Sequence, residues 1–258
     1  MARLAHVAAS ALLVSSPRAT ATAGRSALVI GNAQYRQAPL KNAGADAQAI
    51  SQAFSQLGYD TTLHENLGYA DFVAALREFT TRTQDRGLRL IYYAGHGFQV
   101  SGRNHLVPVD VQFDVASNAA PERTIAVDDL LQRLTGAPQG VNVLVLDACR
   151  ANPFTGQQGV SANGRILNLR SGARVGLASQ SAPFGTVLAY STAPGRIATD
   201  SPSAAIGVYA KHFLRQLGKR GVPIEMMLKQ VRVGVSEETV MQQVPWESSS
   251  LIGELTLS

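Results

Sequence analysis

The 258-residue sequence has a single cysteine, Cys149, so no internal disulfide framework can form. No stretch approaches the roughly 20 apolar residues that a membrane-spanning helix needs. The net charge is +5 and the pI is near 9.6, but the Lys and Arg residues are scattered. Without a dense basic run or interleaved aromatics, this is a basic protein surface rather than a nucleic-acid footprint, and no nucleic-acid partner is expected. There is no internal repeat. Gly31-Asn32-Ala33 after the first apolar run is not the Gly-x-Gly-x-x-Gly of a dinucleotide site, and no Gly-x-Ser-x-Gly elbow occurs.

Apolar residues make up 45% and charged residues 16% of the chain, enough for a sizeable core in one ordinary domain or two small ones. Residues 1–23 differ from the rest. Arg3 opens them, an Ala-rich apolar run from Leu4 to Val14 follows, Ser15-Ser16-Pro17 breaks it, and Ala21-Thr22-Ala23 is a small-x-small cleavage pattern. This is the grammar of a secretory signal, and it implies an exported, periplasmic or secreted protein; the other reading is a disordered Ala/Ser/Thr tail on a cytoplasmic protein.

From Arg25 onward strand and helix signals alternate. Ala27 to Ile30 is a short apolar run ending at Gly31-Asn32. Ile50, Ala53, Phe54 and Leu57 then recur at helical spacing, and Gly58 stops that helix. Tyr59 to His64 reads as a strand, Tyr69, Phe72, Val73 and Leu76 as a helix stripe, and Leu88 to Ala94 as a strand. Val127, Leu130, Leu131 and Leu134 form another stripe, and Val141 to Leu146 another strand. Continuous apolar strands separated by amphipathic helices predict an α/β fold, a mostly parallel central sheet flanked by helices on both faces.

The pattern breaks over 151–185, which is rich in Gly, Ser, Asn and Gln and reads as a long surface loop. It resumes with a strand at Thr186 to Ser191 and a helix from about Ser203 to Leu217. A second helix carries Ile224, Met227, Leu228 and Val231, with Pro223 in its first turn. Leu251 to Leu257 alternates apolar and polar as an edge strand would.

His96 lies just past the third strand, in Tyr-Tyr-Ala-Gly-His-Gly, and Cys149 just past the fourth, in Val-Leu-Asp-Ala-Cys-Arg. Ligands of an open parallel sheet bind at the carboxyl ends of its strands. A right-handed crossover puts both residues on that rim although they are 149 − 96 = 53 positions apart. A lone cysteine is either a small buried hydrophobe or a reactive thiol, and a histidine beside glycines is often structural. Together on one rim they suit nucleophilic catalysis. A free thiol, with a pKa of about 8.5, is mostly protonated at neutral pH and gains from an adjacent imidazole. The imidazole can later protonate a leaving amine. Gly95 and Gly97 allow close approach of a substrate backbone, and the N–H groups of Gly97 and Cys149 could form an oxyanion hole.

This pair, its order and its spacing resemble the caspase-like cysteine peptidases, most closely the bacterial metacaspase-like members. The caspase signature is Gln-Ala-Cys, then Arg, Gln or Gly, then Gly, with the histidine about 50 residues upstream. Asp147-Ala148-Cys149-Arg150-Ala151 departs from it at the first and last positions. Tyr93-Ala94-Gly95-His96-Gly97 resembles the histidine motif, and Leu28-Val29-Ile30-Gly31-Asn32 with Tyr35 resembles the first strand. Ala189 to Gly195 resembles the start of the small-subunit region, and Gln243-Val244-Pro245-Trp246-Glu247 the tail of bacterial members.

The resemblance implies a caspase-like sandwich over 25–258, large-subunit-like over 25–150 and small-subunit-like over 186–258. It also implies a thiol endopeptidase acting on proteins or peptides, and a monomer. Asn42-Ala43-Gly44-Ala45-Asp46 resembles the segment that carries a metacaspase pocket aspartate, although Asp46 would equally suit the first turn of a helix. Asp46 and Asp147 would make an acidic pocket that favours Arg or Lys before the scissile bond. Arg165, Arg170 and Arg174 in the 151–185 segment would then be candidate self-cleavage sites. No cofactor is required by this chemistry. Many metacaspases need calcium, and Asp110, Asp128 and Asp129 stand where that family's carboxylate ligands lie, although Asp128 and Asp129 would equally charge a helix N-terminus. The further acidic ligand has no match at Phe154-Thr155-Gly156. The alternative is a catalytically silent caspase-fold interaction module, against which the presence of both His96 and Cys149 counts.

Overall fold

A computed structural model describes residues 24–36, 38–111, 123–136, 140–148, 159–160, 166–167, 173–174, 177–194 and 204–258. The chain opens with β1 (Arg25–Gly31), α1 (Ala43–Gln56), β2 (Asp60–Glu65), α2 (Tyr69–Arg82) and β3 (Leu88–Ala94). Three short strands follow, β4 (Gly97–Val100), β5 (Arg103–Leu106) and β6 (Ile125–Ala126), then α3 (Val127–Thr135) and β7 (Val141–Asp147). The segment after β7 contributes the two-residue strands β8 (Gly159–Val160), β9 (Ile166–Leu167) and β10 (Ala173–Arg174). The C-terminal part comprises β11 (Thr186–Tyr190), α4 (Val208–Leu217), α5 (Ile224–Glu238) and β12 (Trp246–Ser249).

Six strands form the central sheet in the order β12-β11-β7-β3-β1-β2. All neighbours are parallel except the β11–β12 pair. The two faces follow from strand alternation. Ala27, Val29, Leu90, Tyr92, Val143 and Val145 pack beneath α1, α4 and α5, while Leu28, Ile30, Ile91, Tyr93, Leu144 and Leu146 pack beneath α2 and α3. Both faces are covered, so β3 is buried at every position. Helix α3 shows how little is needed to fix a helix on the sheet. Val127, Leu130, Leu131 and Leu134 are all buried, each worth about 1.5–3 kcal/mol relative to exposure.

The strand order reverses at β1. The chain moves outward from β1 to β2, then returns across β1 to place β3 on its other side. The rim between β1 and β3 is therefore the topological switch point of the sheet, the place where ligands of open α/β sheets bind. Three sequence expectations shift. The edge strand is Trp246–Ser249 rather than Leu251 to Leu257; the latter stretch makes only a bridge from Thr256 to Pro223. Leu257 is nevertheless buried in the core. Helix α4 begins at Val208, after Gly207, and Pro223 is the N-cap of α5 rather than its first helical residue.

The region read as a long surface loop also contributes to the core. Strand β10 pairs with β4, and Leu177 is 1% exposed.

Candidate active site

Strands β3 and β7 are parallel neighbours in a register that sets Ala94 opposite Asp147. His96 lies two residues past Ala94, beyond this rim, and in sequence Cys149 stands two residues past Asp147. Cys149 itself lies outside the described residues; the register ends at Asp147, and Ala148 is the last residue described before it. The two loops already touch there. Gly95 N–H points to the Asp147 carbonyl at 3.4 Å. A Cβ placed on Gly97 would stand 3.1 Å from the Ala148 carbonyl oxygen and 3.2 Å from its Cβ.

His96 is 4% exposed and is held from several sides. Its Nε2 lies 2.7 Å from the carbonyl oxygen of Ala38. A carbonyl only accepts, so Nε2 carries the hydrogen and a neutral ring has its lone pair on Nδ1. The Tyr35 ring lies against the imidazole with centroids 4.4 Å apart. The His96 backbone N–H donates to the Tyr35 hydroxyl at 2.9 Å, and the Tyr93 hydroxyl donates to the His96 carbonyl at 2.9 Å. Burial, with Tyr35 close by, pushes the Tyr93 phenol well above its usual range. Both hydroxyls crowd Gly95, where an added Cβ would fall 2.4 Å from the Tyr93 oxygen and 2.7 Å from the Tyr35 oxygen. Glycine at 95 is therefore a steric requirement of the tyrosine pair under the turn.

The two aspartates come to one neighbourhood. Asp147 is 2% exposed and Asp46 fully buried. The Tyr92 hydroxyl donates to Asp147 Oδ2 at 3.0 Å. Burial, then the charges of Asp147 and Asp46, hold the Tyr92 phenol well above its usual range. Asp46 occupies the first turn of α1 and also accepts the Gly207 N–H on Oδ1 at 2.6 Å. It thus caps the start of α4, where the helix dipole favours an anion. A Cβ at position 207 would meet its other carboxylate oxygen at 2.7 Å.

The three carboxylates considered for calcium are paired with arginines. Asp110 pairs with Arg123 at 2.9 Å and accepts the Tyr69 N–H. Asp128 and Asp129 share Arg103 at 3.2 and 3.5 Å, and Gln180 donates to Asp128. Among the described residues no three His, Cys, Asp or Glu side chains come together as a metal shell requires. As they stand, these residues do not fit a calcium site.

Sequence patterns did not single out the Ala38 carbonyl, Tyr92, Gly207 or the segment beginning at Leu177. The Leu177 side chain would lie 3.1 Å from a Cβ on Gly97. Asn104 fastens the next residue twice, accepting the Ala178 N–H at 2.6 Å and donating to its carbonyl at 3.0 Å. Of the candidate cleavage sites, Arg165 and Arg170 lie outside the described residues, and the backbone of Arg174 pairs with Gln99. No helix among the described residues is long and apolar enough to cross a membrane.

A six-stranded, mostly parallel sheet covered on both faces, with a buried histidine at its carboxyl rim, defines a caspase-like α/β protein. The Caspase domain family matches residues 24–256, and the chain belongs to that family. It is similar to human (Homo sapiens) mucosa-associated lymphoid tissue lymphoma translocation protein 1, with 32% identity over 125 residues, 48% of this chain and 15% of that protein. The homolog from Mus musculus is 31% identical over 125 residues, 48% of this chain and 14% of its own length. The matched region therefore spans about one seventh of those relatives. At family level the chain is a caspase-like domain.

Proposed function

We propose that this chain is a cysteine endopeptidase of the metacaspase-like type that cleaves after Arg or Lys, with Cys149 as nucleophile and His96 as general base and acid. The observation that carries the reading is the 2.7 Å contact between His96 Nε2 and the Ala38 carbonyl. That contact sets the tautomer and the orientation of the ring, and Nδ1 is the atom assigned to take the thiol proton. The thiolate then attacks the scissile carbonyl carbon. The resulting oxyanion is received by the N–H groups of Gly97 and Cys149. Collapse of the intermediate breaks the C–N bond as the imidazolium returns its proton to the leaving amine. Water, deprotonated by the same ring, hydrolyses the thioester.

The convergence of Asp46 and Asp147 around Tyr92 supports a pocket for a cationic side chain, since paired carboxylates in a dry site repel Asp and attract Arg. The proposal includes a monomer exported after removal of residues 1–23. No cofactor takes part in the chemistry; a calcium requirement would oblige Asp128 and Asp129 to exchange Arg103 for the ion. The test is hydrolysis of fluorogenic peptides bearing Arg or Asp before the scissile bond, with calcium or with a chelator. Cleavage of the Arg peptide alone, reduced in Asp147→Asn, is the expected result. Preferential cleavage of the Asp peptide would overturn the pocket assignment.

A further inference from the structure

We propose that Tyr35, on the loop between β1 and α1, is a positioning residue that holds the His96 imidazole in its working orientation; this rests on the reading of His96 as the base. Tyr35 is 7% exposed and engages His96 in two independent ways. Its ring lies on the imidazole at 4.4 Å, tilted by 50°. Its hydroxyl accepts the His96 backbone N–H at 2.9 Å and donates to the Val107 carbonyl at 3.0 Å. Val107 N–H in turn donates to the His96 carbonyl at 3.1 Å, closing a ring of bonds around the turn.

Three residues further along the same loop, Ala38 supplies the carbonyl to Nε2. Ala38 has φ +54, a left-handed conformation that a non-glycine residue keeps only when its surroundings impose it. The loop is anchored at its start. Ala33 and Gln34 N–H both donate to Asn66 Oδ1, at 3.0 and 2.9 Å, and Leu40 N–H returns to the Ala33 carbonyl at 2.9 Å. One fastened segment therefore fixes the face, the backbone and the Nε2 of the histidine. Freedom in that ring degrades the near-attack geometry on which rate depends.

The test compares Tyr35→Phe with Tyr59→Phe, each with its melting temperature recorded. Tyr59 is the matched control, because its buried hydroxyl bonds the Leu257 carbonyl at 2.9 Å on the opposite face of the sheet. Two readouts are taken: kcat and KM on an Arg peptide, and the pH dependence of Cys149 alkylation by iodoacetamide. Tyr35→Phe is expected to lower kcat about tenfold at unchanged KM. Its alkylation midpoint should move upward, towards the ordinary thiol value of about 8.5. Tyr59→Phe should do neither, even at an equal loss of melting temperature. Wild-type kcat and midpoint in Tyr35→Phe, or the same changes in Tyr59→Phe, would overturn the proposal. His96→Ala is run in parallel; a wild-type rate there would remove the base itself, a failure distinct from that of Tyr35.

Discussion

Gly97 offers a quantitative test of how closely the histidine turn and the end of β7 are pressed together. Replacing it with alanine adds one methyl group at a point bounded by the Ala148 carbonyl oxygen at 3.1 Å, Leu177 Cδ2 at 3.1 Å and Ala148 Cβ at 3.2 Å. Contacts of that length are tighter than most side chains accept, so something must move by a few tenths of an ångström. Leu177 can rotate. Ala148 cannot, because its backbone continues from β7, whose last residue Asp147 pairs with Ala94, and its side chain is buried. The turn carrying His96 must therefore back away from Ala148. Overpacking of this kind costs about 1–3 kcal/mol of stability, or a fall of roughly 2–12 °C in melting temperature at 2–4 °C per kcal/mol.

The effect on rate should be larger in kind. Misplacement of reacting groups by up to 1 Å lowers rates as much as about 10²-fold, so kcat of Gly97→Ala is expected to fall about 10–100-fold. KM should stay within about twofold of wild type, since ground-state binding does not pass through this contact. The assay is steady-state peptide hydrolysis at a temperature well below the measured melting point. Adding Leu177→Ala removes the one contact able to yield and leaves both Ala148 contacts, so the double variant should stay slow. Full recovery of kcat in that double variant, or an unchanged kcat in Gly97→Ala, would refute the argument.

Two further predictions concern stability. Burial pushes the Tyr59 phenol up to about 12, against the lowering influence of Arg25, and holds Tyr92 and Tyr93 well above the usual range. A raised folded-state pKa means that the folded protein keeps a proton which the unfolded chain releases above pH 10. This stability is therefore fully present below pH 10 and is lost as pH rises towards 12. Tyr59 alone accounts for about 3 kcal/mol over that window at 1.36 kcal/mol per pH unit. Denaturant melts from pH 9 to 12 check it, and a flat midpoint would contradict it. Gly207→Ala sets a methyl 2.7 Å from an Asp46 oxygen. The cost of about 2 kcal/mol should lower the melting temperature by about 4–8 °C in a scanning experiment, and an unchanged value would deny Asp46 its place at the start of α4.

The elements that sequence reading located best are those buried on both sides. Leu88 to Ala94 was readable as a strand because nothing polar but Arg89 interrupts it, and α3 because four apolar residues recur at helical spacing. The hairpin of β4 and β5 escaped notice because each strand has four residues and mixed polarity. Its one signal was Ser101-Gly102, where φ values of +50 and +80 close a two-residue turn. The alternation in Leu251 to Leu257 misled for the opposite reason. Burial of Leu257 satisfies the pattern without a ladder, whereas β12 pairs through backbone groups that Glu247, Ser248 and Ser249 supply as well as any apolar residue. At the candidate site, the sequence offered His96 and the two aspartates as candidates. Their supports were not legible, because Tyr35 and His96 are 61 positions apart and Asp46 and Gly207 are 161 apart. Only the folded sheet brings such partners together.

The most direct test of the central claim is the steady-state hydrolysis of an Arg-containing peptide by the protein from Arg25 onward, set beside Cys149→Ala and His96→Ala. Measurable cleavage by the unaltered protein, lost in both variants while their melting temperatures hold, is the predicted result. Cleavage that persists in either variant, or none by folded unaltered protein, would contradict the assignment of a Cys149–His96 peptidase.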